Sequence, residues 1–515
     1  MKCPPSPNRR GTLHFLMVGL SRLVDLVPSP ANLASTPINS TPPEILEQIL
    51  KYAVQSLLTR HDQPRTNHRD LHSFSLVCKK WYRLIHSTPS FWTDINTLHP
   101  PWVLNILLSR TGAFMPLDIH GYSVKLGRTL YSYRRLSQEL HRTRSLHQHL
   151  DAEEWPNMQD ILLHEFPSLE ALSITLSRSR VTQVTKTSPL LLDGSFGGKR
   201  PHRLQRLWLE GVRISWDSSL LTNLTHLRLK CQVRPTVAQV FTVLGNMPTL
   251  GCLTLSYSLP ADWTPSLDIL PNMRLPQLKY LKLHDNLSWC AAFLQRVDIR
   301  PEVLSIQGTH YDTDTPALLS LCATRLQSFL EGNPIQRFRV RAEPRMCAFK
   351  AEVGPDHAPK TTFSIILDSL RFSRSDAESL LVSVVFDLQV ILKNVHTLSV
   401  DAPEGFALSR RLWDTYLTKS LPSLEKIVLC ENAAQNFVET MGDAVGLRAR
   451  AQSSLGDTTA DPRDGSPPSM SYRVFLLLRG MEQNSEAGQS STGFLKKASA
   501  LSSFNWSKKV PTCWT

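Results

Sequence analysis

The chain has 515 residues, of which 41% are hydrophobic and 20% are charged, so it is long enough to bury one large core or several smaller ones. Its nine cysteines are scattered and form no C-x-x-C pair, which argues against a disulfide framework and a cysteine-rich zinc site. The formal net charge of +13 is concentrated in both ends of the chain and in residues 128–150. Because a nucleic-acid surface needs basic residues gathered on one folded face, this distribution does not favour nucleic-acid binding.

Residues 1–36 are predicted to form a leader. Their apolar stretch, LHFLMVGLSRLVDLV from Leu13, follows two arginines and is interrupted by Arg22 and Asp25. No run in the chain approaches the roughly 18 to 20 apolar residues that span a bilayer, so no transmembrane segment is predicted. We interpret the stretch as a short amphipathic or poorly ordered leader, with a signal peptide as the alternative.

The next segment, PPEILEQIL from Pro42, has the pattern of a helix start. Thr41 can cap the helix, and Glu44 lies in the first turn, close to the positive end of the helix dipole. Proline is tolerated in this first turn because the N–H group that it lacks would have no partner within the helix. Apolar residues then recur at steps of three and four, which predicts one amphipathic helix. These residues are Ile45, Leu46, Ile49, Leu50, Ala53, Leu57 and Leu58.

A second helix is predicted after a polar link, within LHSFSLVCKKWYRLIHSTPSFW from Leu71. Apolar residues again fall at steps of three and four, and basic residues occupy the other side. Pro89 ends this helix, and Phe91 and Trp92 follow as a large apolar anchor. The apolar positions are Leu71, Phe74, Val77, Cys78, Trp81, Leu84 and Ile85, and the basic positions are Lys79, Lys80 and Arg83.

Residues 37–98 therefore resemble an F-box, which is a helical domain. The family pattern begins with L-P-x-E-I-L-x-x-I-L and continues through a leucine-rich link. It then has S-L-V-C-K-x-W and ends with F-W. Thr41 replaces the leading leucine of that pattern, and the link carries a polar insertion at 58–70. The resemblance implies binding to a Skp-type adaptor and, through it, to the cullin of a ubiquitin ligase. The residues expected to contact the adaptor are Pro43, Ile45, Leu46, Ile49, Leu50, Leu76, Val77 and Trp81. The alternative is an ordinary helical hairpin in which these apolar residues only form the core.

A strand pattern of the form L-x-x-L-x-L recurs through residues 99–440. Its copies lie about 28 residues apart on average, which is the period of a leucine-rich repeat. Because one strand and one helix cannot bury their own apolar faces, stacked copies would share a continuous core. Clear copies begin at Leu169, Leu204, Leu224, Leu250, Leu278 and Leu424, and weaker ones begin at Phe114, Thr143, Pro301, Ile335, Phe363 and Val395.

The sequence between these copies supports the repeat. Turns containing proline precede the copies in FPSLEAL, MPTLGCL, LPQLKYL and LPSLEKI, and the segments PTVAQVFTVLGNMP and SWCAAFLQRV are predicted to be helices. The predicted fold class is α/β: an N-terminal helical F-box hairpin, then an irregular leucine-rich-repeat solenoid with parallel short strands inside and helices outside. This arrangement is similar to that of fungal-type F-box proteins. An ordinary α/β fold with short leucine strands is the alternative.

Residues 441–515 are predicted to form a linker and a tail. The segment from Ser453 is rich in Ser, Asp, Gly and Pro, which is typical of a flexible linker. Residues 472–478, YRVFLLL, have the composition of one further strand. The serine-rich sequence from Asn484, with its two lysine pairs, is predicted to be disordered.

No catalytic, cofactor-binding or metal-binding site is predicted. The segment GSFGGKR from Gly194 resembles a phosphate loop only in part, because Arg200 stands where Ser or Thr would hold magnesium. His141, His147 and His149 have no cysteine or carboxylate partner at metal-ligand spacing. The chain is therefore predicted to be non-catalytic.

Together these features predict the substrate receptor of a Skp-cullin-F-box ubiquitin ligase, located in the cytoplasm, the nucleus or both. The F-box would hold the adaptor, and the solenoid would hold a protein substrate that the sequence does not identify. The alternative is a leucine-rich scaffold or adaptor that acts outside a ubiquitin ligase. Candidate substrate contacts on the solenoid are the aromatic residues Trp208, Trp216, Trp263 and Trp289, with core packing as the alternative role, favoured for at least half of them.

Overall fold

A computed structural model describes the chain in two compact units, Met1–Ser145 and Leu146–Thr515. The described residues are 41–59, 67–122, 134–177, 189–192, 194–263, 273–299, 301–309, 335–343, 346–353, 360–368, 392–401, 423–430 and 473–477. The predicted leader at 1–36, the linker from Ser453 and the serine-rich tail lie outside these residues. Within them, no helix is both long and apolar enough to cross a bilayer.

The first unit begins with short helices and continues into a pair of parallel strands. Its helices are α1 (Pro43–Thr59), α2 (Asn67–Ser75), α3 (Lys79–Ser87) and α4 (Pro101–Arg110), with 3-10 turns at Pro89–Trp92 and Ser137–Arg142. Its strands are β1 (Asp94–Asn96) and β2 (Leu117–Tyr122), followed by β3 (Thr143–Asp151), which crosses the boundary in sequence.

Buried apolar residues and one satisfied arginine hold the later part of the first unit together. Strands β1 and β2 pair in parallel with Ile95 opposite Ile119, and both side chains are buried. Arg142 is also buried, but its guanidinium donates to Glu139 Oε2 at 2.8 Å, to Thr111 Oγ1 at 3.1 Å and to the Met115 carbonyl at 2.9 Å. A buried charge is stable only when its donors find acceptors in this way.

The second unit is dominated by strands that alternate with short helices and turns. Its helices are α5 (Trp155–Leu162), α6 (Val237–Gly245) and α7 (Leu287–Arg296). The strands of its large sheet include β4 (Ala171–Ser177), β6 (Arg206–Glu210), β8 (His226–Lys230), β9 (Cys252–Ser256), β11 (Tyr280–Asn286), β13 (Val303–Thr309), β14 (Arg337–Glu343), β15 (Met346–Val353), β16 (Lys360–Asp368), β17 (Thr397–Asp401), β18 (Lys426–Cys430) and β19 (Arg473–Leu477). Two small pairs lie outside it, β5 (Leu190–Leu191) with β7 (Arg213–Ile214) and β10 (Met273–Arg274) with β12 (Val297–Asp298).

A ladder of leucines runs across the first six of these strands, which pair in parallel in the order β4, β6, β8, β9, β11 and β13. The fourth position of each predicted repeat lies directly opposite the fourth position of the next. These positions are Leu172, Leu207, Leu227, Leu253, Leu281 and Leu304, and all six side chains are buried. Since side chains alternate along a strand, the residues between the leucines form the opposite face of the sheet.

Strands β4, β9 and β11 of the ladder are entered by the same turn. The N–H groups of Leu169, Leu250 and Leu278 donate to carbonyls three residues earlier, at 3.1 to 3.2 Å. A second hydrogen-bond pattern follows the first leucine of four repeat copies. The next residue's carbonyl accepts hydrogen bonds from two N–H groups of the following strand segment. These residues are Glu170, Gln205, Thr225 and Gly251. Gln336 and His396 do the same before β17 and β18, so the entry geometry recurs late in the chain.

The exits of three strands are also alike. Gly211, Cys231 and Tyr257 directly follow β6, β8 and β9, and all three have positive φ angles between 51° and 76°. Their N–H groups donate to carbonyls of the next strand, Lys230, Ser256 and His284, at 2.7 to 3.2 Å. The non-glycine residues accept this disfavoured conformation because the hydrogen bond to the neighbouring strand compensates part of its cost.

The sheet departs from the predicted stack of parallel strands after β13. Its order continues β16, β15, β14, β17, β18 and β19, and β15 pairs antiparallel with both β14 and β16. Only two residues separate β14 from β15, which is too short for the crossover that a parallel pair requires. The chain therefore forms an antiparallel meander here, and parallel pairing resumes between β14 and β17.

Every predicted strand copy overlaps a strand of the structure, and the predicted helices between copies correspond to α6 and α7. Residues Arg473–Leu477 also form the strand that the sequence predicts within 472–478. In one copy, FSIILD, the alternation of buried and exposed residues is shifted by one position from the predicted pattern. In β16 the buried apolar side chains are Phe363, Ile365 and Leu367, rather than Ile366. The mixed apolar run FSIIL allows either phase, and pairing with β13 and β15 selects one.

Candidate functional site

Helix α1 presents two apolar stripes in different environments. Leu46 and Leu50 are 0% and 1% exposed and pack in the core of the first unit. Ile45 and Ile49, one position earlier in each case, are 48% exposed. Pro43 is the first residue of the helix and is exposed, and Glu44 lies in its first turn as predicted. Four of the predicted adaptor contacts on this helix therefore divide into two core residues and two surface residues.

The second apolar segment forms two helices, so the single helix predicted from its spacing is wrong. Helix α2 ends at Ser75, and α3 begins at Lys79. Tight turns close the end of α2, because the N–H groups of Leu76 and Val77 donate to Ser73 and Phe74 carbonyls, both at 3.2 Å. Cys78 is extended, with φ −160° and ψ 166°, and this conformation interrupts the helical hydrogen bonds.

The break between α2 and α3 exposes two predicted contact residues. Leu76 is 69% exposed and Val77 is 60% exposed, although the spacing had placed Val77 on the apolar stripe of a single helix. Directly after them, Lys80 Nζ donates to the Thr41 carbonyl at 2.8 Å, which joins the start of α3 to the start of α1. Ser90 Oγ also donates to Glu47 Oε1 at 3.3 Å. The Lys80 contact holds the break beside the end of α1 that carries Ile45, and the Ser90 contact fixes the turn after α3 against the same helix.

The two tryptophans of the segment have different roles. Trp81 is half-buried and makes an edge contact with Phe74, with ring centroids 6.2 Å apart. Trp92 is buried, its Nε1 donates to the Ile85 carbonyl at 2.9 Å, and the guanidinium of Arg110 lies 4.4 Å from its ring centroid. The predicted apolar anchor after Pro89 is thus a core feature that fixes the end of α3.

Sequence reasoning missed two exposed aromatic residues of the N-terminal helices. Tyr52 and Tyr82 are both more than half exposed. Tyr52 could have been found, because it lies seven residues after Ile45 and three after Ile49, which places it on the same side of α1. Large apolar and aromatic side chains gathered on an exposed surface are typical of a protein interface.

One histidine of this unit has a lowered pKa. Burial lowers the pKa of His86, and the nearby Arg110 and His72 lower it further. Its ring also contacts those of Tyr82 at 4.1 Å and Trp92 at 5.5 Å. The lowered pKa favours the neutral imidazole, which suits this aromatic surrounding.

The other predicted motifs are structural in the described part of the chain. The GSFGGKR segment forms a turn in which Phe196 is buried against Phe166, and Arg200 Nη2 donates to the Leu204 and Thr222 carbonyls. His141 lies in a 3-10 turn, and His147 and His149 lie in β3. In the described ranges, no three His, Cys, Asp or Glu side chains are placed to hold a metal ion.

Of the predicted tryptophan contacts, Trp216 is buried and donates to the Val233 carbonyl at 3.0 Å. Trp263 donates to the Pro260 carbonyl, Trp289 lies under Arg234, and Trp208 lies under Arg228. Trp216 is therefore a core residue, whereas the other three remain partly exposed.

Comparison with known families gives one match, in which residues 38–97 match the family model described as F-box-like. No curated protein matches the chain. F-box domains bind Skp-type adaptors, and proteins that carry them are in general non-catalytic. The matched residues include α1, α2, α3 and the Trp92 anchor. The resemblance predicted from PPEILEQIL and its companion segment is confirmed at this level: the chain carries an F-box-like domain at its N-terminal helices.

Proposed function

We propose that this protein is the substrate-recognition subunit of a Skp-cullin-F-box ubiquitin ligase, acting in the cytoplasm, the nucleus or both. The observation that carries this proposal is the F-box-like match at residues 38–97. The role is non-catalytic. The N-terminal domain binds the Skp-type adaptor, which connects it to a cullin, and the remainder binds a protein substrate.

The adaptor surface is formed by the exposed members of the predicted set. Pro43, Ile45 and Ile49 present it on α1, and Leu76 and Val77 present it on the adjoining break. Burying such side chains on a partner removes apolar area from water, which is the main source of affinity in a protein interface. Leu46 and Leu50 act indirectly, because they fix α1 in the core, and Trp81 supports the break through Phe74.

The domain after the F-box, residues 99–440, is proposed to be an irregular leucine-rich-repeat solenoid of the fungal type. The buried ladder supports it, because it aligns one leucine from each of six successive predicted repeats, from Leu172 to Leu304. The entry turns, which recur at several of these repeats, also support it. Residues 441–515 follow as a linker and tail. A rigid repeat array of this kind can hold a substrate close to the conjugating enzyme and so raise the effective concentration of its lysines.

Co-purification of the full-length protein with a Skp-type adaptor tests this function. The variant Ile45→Ala, Ile49→Ala should lower adaptor affinity about tenfold or more, because each truncation removes roughly 1 kcal/mol of burial at an interface. Ile106→Ala is the matched control, since Ile106 is 42% exposed on α4 and lies outside the F-box-like match.

Full adaptor binding by the double variant would show that α1 does not form the interface. Native complexes that contain the protein and its partners but neither adaptor nor cullin would instead support the alternative role of a scaffold outside a ubiquitin ligase.

A further inference from the structure

The sheet of the second unit has a polar face opposite its leucine ladder. We define the polar face as the non-leucine positions of four adjacent parallel strands, β6, β8, β9 and β11, which the strand register arranges in three rows. The rows are Arg206, His226, Cys252 and Tyr280; then Trp208, Arg228, Thr254 and Lys282; then Glu210, Lys230, Ser256 and His284.

Positive charge exceeds negative charge on the polar face. Its cationic side chains are Arg206, Arg228, Lys230 and Lys282, and its one carboxylate is Glu210. Glu210 is paired with Lys230. Arg228 and Lys282 have no carboxylate partner within the described ranges, although both are only partly exposed. Burial lowers the pKa of Lys282, and repulsion from Arg228 and Lys230 lowers it further, which reflects positive charge that no local group neutralises.

Two donors on the polar face also have no acceptor. Arg228 Nε and Trp208 Nε1 are buried and make no hydrogen bond to the residues that the structure describes. The two groups are adjacent, because the Arg228 guanidinium lies 3.7 Å from the Trp208 ring centroid. A buried donor without an acceptor costs free energy, and an anion that accepts hydrogen bonds from the Arg228 guanidinium would offset part of this cost.

The register places hydroxyl groups between the two unpaired cations. Thr254 lies directly opposite Arg228 on one side and Lys282 on the other, and Ser256 lies in the same way between Lys230 and His284. The backbones of Arg228 and Lys282 are therefore about 10 Å apart, two strand spacings. This width admits one oxyanion group, with cations on both sides and hydroxyl donors below it.

We propose that the polar face binds an acidic segment of a protein partner, with a carboxylate or phosphoryl oxyanion held above Thr254 and Ser256 between Arg228 and Lys282. The inference rests on the proposed function, because the segment would belong to the substrate that the ligase receptor recognises. The aromatic rings of Trp208 and Tyr280 border the site and can contact the backbone of an extended segment. A nucleic-acid strand fits less well, since Glu210 would face its regular phosphates.

Binding of three fluorescein-labelled peptides to the full-length protein tests the proposal. One peptide alternates glutamate and serine, the second has glutamine in place of glutamate, and the third has phosphoserine in place of serine beside glutamine. We expect the first or third peptide to bind at least tenfold more tightly than the second, and the stronger of the two identifies the source of the oxyanion. This preference should weaken as salt is raised, because salt screens the partly exposed charges.

Charge removal at the site supplies the specific test. The variant Arg228→Gln, Lys282→Gln should weaken binding of the acidic peptide about tenfold or more, because charged hydrogen bonds are lost. The matched control Arg203→Gln, Lys393→Gln removes the same charge from exposed positions on turns and should bind as the unchanged protein does. Arg228→Lys keeps the charge and should retain most of the affinity, which separates loss of charge from loss of the contact with Trp208.

The outcomes are distinguishable from those of the adaptor test. If no anionic peptide binds better than the glutamine peptide while the adaptor still binds, the inference is overturned and the proposed function stands. If the adaptor fails to bind but the peptide result is as expected, the anion site stands without the ligase. If a single-stranded RNA binds more tightly than the peptides and loses affinity in the double variant, the partner is a nucleic acid and the proposal is wrong.

Discussion

The two units of the protein bury their apolar stripes to different extents. In the second unit, the ladder leucines of neighbouring parallel strands are buried from Leu172 to Leu304. In the first unit, adjacent stripes on one short helix divide, with Leu46 and Leu50 inside and Ile45 and Ile49 outside. A repeated strand always has a neighbour to cover its apolar face, whereas a few short helices have too little mass to cover all of theirs. The uncovered part is where we place the adaptor.

The distribution of exposed apolar side chains shows the same contrast. Among the described residues of the second unit, the large apolar side chains that are exposed are Leu163, Leu190, Leu192 and Val233. The first unit exposes Ile45, Ile49, Tyr52, Leu76, Val77, Tyr82, Trp102, Ile106 and Phe114. The open side of the sheet carries charge instead. This difference is the basis for proposing an apolar partner for the first unit and an anionic one for the second.

The largest effect that tests this contrast is expected within the first unit. Trp92→Ala should lower the free energy of unfolding by about 4 kcal/mol, because it removes a buried ring and the hydrogen bond to the Ile85 carbonyl. Trp102→Ala makes the same chemical change at an exposed position on α4 and should change it by less than about 1 kcal/mol. Urea unfolding, followed by tryptophan fluorescence and circular dichroism, measures both. Equal changes in the free energy of unfolding for the two variants would contradict the assignment of Trp92 to the core and Trp102 to the surface.

A somewhat smaller effect is expected at the centre of the leucine ladder. Leu253 is fully buried between Leu227 and Leu281, so Leu253→Ala should lower the free energy of unfolding by about 3 kcal/mol. Leu163→Ala, at a position that is about half exposed, is the control and should cost under about 1 kcal/mol. Proteolysis rates and chemical unfolding both measure the change. A small effect of Leu253→Ala would contradict a continuous core across the strands.

The smallest effect is a dependence of stability on pH. Burial is the main reason that the pKa values of His86 and His99 are lowered in the folded protein. The unfolded chain therefore takes up these protons first, at about pH 6.5, and folded stability is full above that pH and falls as the pH decreases through it. We expect a lower melting temperature at pH 5.5 than at pH 7.5.

The variant His86→Gln, His99→Gln separates this effect from general acid sensitivity. Its melting temperature should fall less between pH 7.5 and pH 5.5, because two groups that take up protons on unfolding have been removed. An unchanged difference would assign the pH dependence to other groups, such as His226, whose pKa is also lowered by burial and by Arg206.

Local sequence determined the strands of this protein to a large extent. The pattern L-x-x-L-x-L marks residues whose alternation suits a half-buried strand, and each marked copy overlaps a strand. The proline turns before the copies were equally readable, since FPSL, MPTL and LPQL close the expected three-residue hydrogen bonds. The F-box-like domain could be recognised for a similar reason, because its order of residues is local and specific.

Tertiary structure alone decided which strands are neighbours and which helix stripe is covered. The sequences of β14, β15 and β16 do not indicate that β16 pairs with β13, because the partner of a strand depends on segments far away in the chain. In the same way, Ile45 and Ile49 have the same spacing as Leu46 and Leu50, so periodicity cannot say which pair faces inward. Alternation and helical spacing are properties of a single segment, whereas burial and strand order are properties of the segments packed around it, and only the folded chain supplies those.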